Sequence, residues 1–371
     1  MYTPQPIPRV MLIGLSDPMK SKEEMFLDFE EVESLVNTYG GKVHAALYQN
    51  MTRGDYSTFI GHGKVEEAVT AISENKIDIV VMNEAIKPSQ LHALFLAFHK
   101  ANPHILVWDR VTLILEIFSK HAKTAEAKLQ IKFAKMRQMG PRIYGMGMEL
   151  SNQGGGIGTR GVGETNTKLM LRHWKSETAK VRKELTELSK RKKDQIDHRK
   201  HDGLPTISLV GYTNAGKTTL FNRITGSHDL AEDALFATLE STVNRFYLKS
   251  LGHEVYLSDT IGFIKNLPPL LIDAFKSTLL EAVNADIILN VIDSSDSRVD
   301  EKIQTVQEIL NELGIERKNI VYVFNKIEKN ESVDIEKIKD QYREFSPHFI
   351  SAKDGTGLDE LLSFFSARLG K

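Results

Sequence analysis

The chain has 371 residues, enough for two or three domains rather than one core, and its balance of 41% hydrophobic and 26% charged residues excludes a disordered or fibrous class. It contains no cysteine, which excludes disulfide frameworks and zinc–thiolate sites and fits a reducing compartment. The net charge of −1 is unevenly spread: residues 120–202 carry 20 Lys+Arg against 9 Asp+Glu, the rest 28 against 40. That polarity points to a segment built for a polyanion such as nucleic acid, or to a solvated lysine-rich helix. No apolar run reaches the ~18–20 residues of a membrane span. The first nine residues also lack the basic-then-apolar form of a signal peptide. A cytoplasmic protein with no membrane span is expected.

In chain order, residues 10–15 read as a buried strand and residues 25–39 as an amphipathic helix ended by Gly40 and Gly41. Strands follow at 43–48, 77–82 and 104–108, with helices at 65–74 and 89–100 between them. Strands spaced by helical patterns imply βαβ crossovers, so residues 1–110 are expected to form an α/β domain on a parallel sheet. Gly61-His-Gly-Lys64 resembles a phosphate loop but lacks its second glycine spacing and its hydroxyl residue. A tight turn into a helix is the first reading, and an ATP site the second. Trp108 is expected in the core. His92, His99, His121 and His198 form no metal-ligand spacing.

From Arg110 the pattern turns helical, with Leu113, Ile117, Ala125, Leu129, Phe133 and Met136 available to one seam and Gly140-Pro141 expected to end it. A glycine-rich stretch runs from Gly145 to Gly163, and helix resumes over residues 164–200. There Trp174, Thr178, Val181, Leu185 and Leu188 form a coiled-coil-like seam. Residues 111–202 are thus expected to form a basic helical hairpin linker with a flexible glycine loop, and residues 203–371 the last domain.

That domain opens on an apolar strand at 206–210, directly followed by Gly211, Tyr212, Thr213, Asn214, Ala215, Gly216, Lys217 and Thr218, then a helix start. This is the P-loop pattern in its strand–loop–helix setting. Its amides point at phosphate oxygens, Lys217 charges the β- and γ-phosphates, and the Thr218 hydroxyl ligates Mg²⁺. A second strand ends in Asp259, Thr260, Ile261 and Gly262. Asp259 suits the Mg²⁺ shell, and the Gly262 amide reaches the γ-phosphate until hydrolysis removes it. Lys217 and Gly262 are the candidate catalytic contacts. After strands at 287–293 and 319–324 come Asn325, Lys326, Ile327 and Glu328. This is the Asn-Lys-x-Asp base reader with Glu328 one methylene longer, its carboxylate accepting from guanine N1–H and the 2-amino group. Ser351, Ala352 and Lys353 complete the base pocket, with Asn325 and Lys326 flanking the ring. GTP or GDP is the expected ligand.

Over most of its length the chain resembles the HflX family of ribosome-associated GTPases, within the translation-factor class. The likeness is carried by Gly211–Thr218, by Asp259-Thr-Ile-Gly-Phe-Ile264, and by the glycine-rich signature from Gly154 to Thr165. Gly61-His-Gly-Lys-Val-Glu-Glu67 and Asp109-Arg-Val-Thr-Leu-Ile-Leu-Glu116 add to it. Phe236, Ala237, Thr238, Leu239 and Glu240 resemble the first switch, which implies Thr238 as a second Mg²⁺ ligand. Phe263 stands where some regulatory GTPases keep a water-orienting glutamine, so slow intrinsic hydrolysis is expected. Asn214 occupies the place at which potassium-dependent relatives bind K⁺, and either does so here or only stabilises the loop.

The resemblance implies binding to the large ribosomal subunit and its rRNA and dissociation or rescue of stalled ribosomes, with GTP binding and hydrolysis coupled to binding and release. A ribosome-independent RNA remodeller with a second ATP site and a nucleotide-gated protein-binding module remain as alternatives. The 18 residues after Lys353 leave room only for a last helix, so no further C-terminal module is expected.

Overall fold

The computed structural model describes residues 6–19, 21–153, 162–201, 203–227, 235–236, 241–265, 267–329 and 334–370. They form two compact units, Met1–His121 with Ile131–Arg182, and Ala122–Gln130 with Lys183–Lys371.

The first unit opens with β1 (Arg9–Ser16), α1 (Lys22–Tyr39), β2 (Lys42–Asn50), α2 (His62–Asn75), β3 (Ile79–Met82), α3 (Pro88–His99), β4 (Leu106–Trp108) and α4 (Arg110–His121). The strands make an all-parallel sheet in the order β2-β1-β3-β4. β1 is apolar along its length because both faces are covered, as crossover helices require. Ser21 starts α1 with a capping box: its hydroxyl accepts from Glu24 N–H at 3.1 Å while the Glu24 carboxylate accepts from Ser21 N–H at 2.8 Å. Gly40 ends it in the left-handed region. Trp108 is only half-buried, edge-on to Tyr39 with ring centroids 5.1 Å apart.

The long helices are α5 (Ala125–Gln153) and α6 (Val162–His201). Two expectations are corrected here. Helix α5 does not stop at Gly140-Pro141 but runs through both, and through Gly145 and Gly147, to Gln153. A proline inside a helix has no N–H to give to the i−4 carbonyl, so its place in the helix carries a cost. Packing outweighs that loss: Trp174 of α6 lies on Gly140, and its indole N–H donates to the Met136 carbonyl at 2.8 Å. The second correction is the apolar seam. Helix α5 buries Ala127, Gln130, Ile131 and Ala134, whereas Leu129, Phe133 and Met136 are only partly covered and Ala125 is exposed. The α6 seam is as expected, with Val181 buried and Trp174, Thr178, Leu185 and Leu188 partly so. Residues 154–161 of the glycine loop lie outside the described residues.

The second unit continues with β5 (Thr206–Val210), α7 (Lys217–Thr225), β6 (Thr242–Leu248), β7 (His253–Asp259), α8 (Pro269–Ala274), α9 (Lys276–Val283) and β8 (Ile287–Asp293). It closes with α10 (Val299–Glu312), β9 (Ile320–Asn325), α11 (Ile335–Gln341), β10 (His348–Phe349) and α12 (Leu358–Leu369). Six strands lie in the order β10-β9-β8-β5-β7-β6, parallel except for β6, which pairs antiparallel with β7. The core gathers Ile207, Leu209, Leu257, Leu289, Val323 and Phe365 around the central strands. Within this unit, the last turns of α6 are anchored by Arg199, which donates to both carboxylate oxygens of buried Glu281 at 2.7 and 2.9 Å and stacks on the Tyr256 ring. Lys192 Nζ donates to Ser241 Oγ at 2.8 Å.

The chain diverges around β5, with β7 on one side and β8 on the other. In open parallel sheets the crevice at such a strand's C-terminal end is where ligands bind.

Candidate functional site

The carboxyl ends of β5, β7, β8 and β9 all open at this crevice. The turn after β5 is possible only with glycine at two places. Gly211 has φ +142°, and a Cβ there would sit 2.3 Å from the Val291 carbonyl oxygen. Gly216 has φ +92°, and its Cβ would meet the Asn325 side-chain nitrogen at 2.2 Å. Lys217 and Thr218 then begin α7, so the loop's amides and the helix N-terminus face one place.

Lys217 is buried, and its Nζ donates to the carbonyls of Tyr212 at 2.7 Å and Gly211 at 3.2 Å. Burial pushes its ammonium down to about 8; nearby Asp259 partly offsets this and Lys326 adds to it. Thr218 Oγ1 donates to Asp259 Oδ2 at 2.7 Å, and Asp259 is itself buried at the end of β7. A hydroxyl and a carboxylate held together at the phosphate cradle fit a hard divalent cation that takes oxygen ligands. Thr260 Oγ1 donates to the Leu209 carbonyl at 2.7 Å, and Ile261 and Gly262 are buried beside the loop.

The strand ends are cross-tied. Asn325 donates its amide to the Ala215 carbonyl and accepts from Ala352 N–H, both at 2.9 Å. Lys326 Nζ donates to the Asn214 carbonyl at 2.7 Å and to Asp293 Oδ2 at 2.6 Å. Although burial opposes it, this contact with Lys326 and the bonds from Ser295 hold the Asp293 carboxyl below its usual range. Ile327 and exposed Glu328 follow in a short 3-10 turn, Ser351 is fully buried, and Lys353 is exposed. The structure thus brings together Gly211–Thr218, Asp259–Gly262, Asn325–Glu328 and residues 351–353. Both polar ends of the Asn325 side chain engage backbone, so it also ties the two loops together. Phe236 is buried with φ +60°. Ala237, Thr238, Leu239 and Glu240 lie outside the described residues.

Sequence reasoning passed over two residues that matter here. Asp293 had a legible signal, an acidic residue ending an apolar strand as Asp259 does. Arg223, which donates to the Ala352 and Lys353 carbonyls, had none, since the partner lies 130 residues away. In the first unit, Gly61 opens α2, its N–H is taken by Gln49 Oε1 at 2.7 Å, and Lys64 pairs with Glu67. That turn spends these donors internally.

Comparison with known proteins agrees along the chain. Residues 27–119 match the family described as GTP-binding GTPase N-terminal, residues 121–199 the GTP-binding GTPase Middle Region, and residues 206–326 the 50S ribosome-binding GTPase. The GTPase HflX of Caldanaerobacter subterraneus subsp. tengcongensis is 38% identical over 98% of this chain and 81% of its own length. That of Escherichia coli is 35% identical over 92% and 79%. A GTP-binding protein from Sulfolobus solfataricus, solved in complex with GDP, superposes with a TM-score of 0.52 at 27% identity, covering 98% of this chain and 99% of that one. A phosphate cradle and base loops tied in this order, on a chain that aligns with these relatives nearly end to end, leave one assignment: it belongs to the HflX family of GTPases.

Proposed function

We propose that this GTPase acts in the cytoplasm, binding the large ribosomal subunit through its rRNA and promoting dissociation or rescue of stalled ribosomes. The observation that carries the reading is the solvent-facing charge of α5 and α6. Lys132, Arg172, Lys175, Lys183, Lys190 and Lys193 are all exposed, on a chain that also holds a phosphate cradle. Such cations gain affinity for RNA by releasing counterions. Residues 206–326 match a family described as 50S ribosome-binding, which supports the same partner.

At the nucleotide, Lys217 pairs with the β- and γ-phosphates and the Gly262 amide with the γ-phosphate. Thr218, backed by Asp259, would hold Mg²⁺, joined by Thr238, and the cation supplies charge neutralisation at the phosphates. Lys326 lies along the guanine, Glu328 accepts from its N1–H and 2-amino group, and Ser351, Ala352 and Lys353 close the pocket. GTP, contacted at Thr238 and Gly262, favours the ribosome-bound state; hydrolysis releases it. Asn214 would take K⁺ beside the phosphates.

The test is GTP turnover with and without purified large subunits, in K⁺ and in Na⁺ buffers, with co-sedimentation alongside. Stimulated turnover and GTP-dependent, salt-sensitive sedimentation are expected. Unchanged turnover with no association refutes the ribosomal partner, and equal rates in the two salts refute K⁺ at Asn214.

A further inference from the structure

Hydrolysis needs something to hold the attacking water, and Phe263 does not. Its ring is fully buried, and its backbone is tied to the P-loop on both sides. Phe263 N–H donates to the Gly211 carbonyl at 3.0 Å, and Thr213 N–H donates to the Phe263 carbonyl at 2.8 Å. Two residues on, Lys265 N–H donates to the Tyr212 hydroxyl at 2.7 Å. The seam fixes the Phe263 backbone beside the loop, and an aromatic ring there has nothing to offer a nucleophile.

Among the described residues, one hydroxyl in the cradle has no partner. Thr213 is 6% exposed, and its Oγ1 is sealed from solvent without a hydrogen bond. Its neighbours are engaged: Lys217 with two carbonyls, Thr218 with Asp259, Thr260 with Leu209. A buried hydroxyl left unpaired loses its solvation without compensation, so as a structural element it is a poor choice. Its place is telling. A Cβ added to Gly262 would lie 2.8 Å from Thr213 Cγ2, 2.9 Å from its Cα and 3.1 Å from Lys217 Nζ. The Thr213 methyl, Gly262 and the Lys217 ammonium therefore wall one point, the one at which a P-loop lysine and the second-switch glycine meet a γ-phosphate, and a single χ1 step exchanges that methyl for the hydroxyl.

We propose that the Thr213 hydroxyl positions the hydrolytic water at the γ-phosphate of GTP, a role that rests on the P-loop reading of this site. The hydroxyl accepts from the water and donates to a γ-phosphate oxygen. The water oxygen bonds to the γ-phosphorus as its bond to the β,γ-bridging oxygen breaks. GDP leaves with that electron pair, and the water's proton passes to the released phosphate. Thr213 is a positioning residue, working by orientation rather than charge.

The experiment compares Thr213→Val, which keeps the shape, Thr213→Ser, which keeps the hydroxyl, and wild type, by single-turnover GTP hydrolysis, GDP affinity and thermal unfolding without nucleotide. Thr213→Val should slow the chemical step by about tenfold or more. Its GDP affinity should stay within about twofold and its unfolding midpoint at or above wild type, because the orphan hydroxyl is gone. Thr213→Ser should hydrolyse within about threefold of wild type. Unchanged hydrolysis in Thr213→Val, a Thr213→Ser as slow as Thr213→Val, or loss of GDP binding in step with the rate each overturns the proposal. A wild-type chain that binds no GDP would instead overturn the P-loop reading itself. If Thr213→Val fails to fold, Thr213→Ser and Thr213→Ala decide it by the same comparison, the alanine slow and the serine not.

Discussion

Lys217 carries a pH dependence that can be worked from its surroundings. Folding takes its ammonium from water to a site 6% exposed, and two carbonyls do not fully replace the lost solvation, so it titrates at about 8 instead of 10.5. Between those two values the unfolded chain binds the proton that the folded, nucleotide-free chain has lost. Stability of the empty protein therefore rises with pH across that window, by about 3 kcal/mol in all, and the same amount is a standing cost near neutrality. Nucleotide phosphates reverse the balance, because they need the charged form. About a tenth of the empty protein lacks the proton at pH 7 and about three-quarters at pH 8.5, so GDP affinity should fall about fourfold between the two. Binding at the higher pH should take up about three-quarters of a proton, against about 0.1 at neutrality. Calorimetry in two buffers of different ionisation enthalpy reads that uptake directly. Lys217→Arg, charged throughout, should bind with no such uptake. Wild-type binding at about pH 8.5 without proton uptake would refute the account.

Two further outcomes follow from packing. Asn325→Ala strands the buried Ala352 N–H and the Ala215 carbonyl, so it should destabilise the nucleotide-free protein by about 2–4 kcal/mol and weaken GDP binding; denaturant unfolding and GDP titration check this. Gly140→Ala would ordinarily stabilise a helix by about 0.5–1 kcal/mol. Here its Cβ would lie 2.5 Å from the Trp174 ring, so a loss of about 1–3 kcal/mol is expected, and a gain in unfolding midpoint would count against the close α5–α6 packing.

What could be read from sequence was whatever local chemistry dictates. β5 and its loop were legible because a buried parallel strand is continuously apolar and the phosphate turn imposes glycine and lysine at fixed spacing. The edge strand β6 was missed: Asn244 and Arg245 interrupt its apolar residues, and only Phe246 and Leu248 are buried. Helix α5 defeated the Gly-Pro stop signal because the stabilising contact comes from Trp174, 34 residues beyond Gly140. Its buried stripe was misassigned for a related reason. Gln130, whose amide donates to Thr278 at 3.2 Å, is buried through a partner 148 residues away, which no periodicity reveals. Likewise the pattern Asn-Lys-x-Glu does not distinguish an asparagine left free from one that holds the backbone of two other loops.

That last distinction bears on how the site works. The P-loop is gripped from two sides by the protein's own side chains and backbone. On the base side, Asn325 holds Ala215 and Lys326 holds Asn214, and Asn325 also holds Ala352 of the loop that follows β10. On the second-switch side, Gly211 and Thr213 are bonded to Phe263, and Tyr212 to Lys265. A cradle held this way spends little binding energy on ordering itself, which favours affinity. It also couples its two edges: displacing Phe263 requires breaking bonds to Gly211 and Thr213, which stand next to the residues that Asn325 and Lys326 hold. A partner that shifts the second switch would thus act on the phosphate loop through backbone hydrogen bonds, and by the reciprocity of coupling a phosphate that tightens the loop would set the position of the switch.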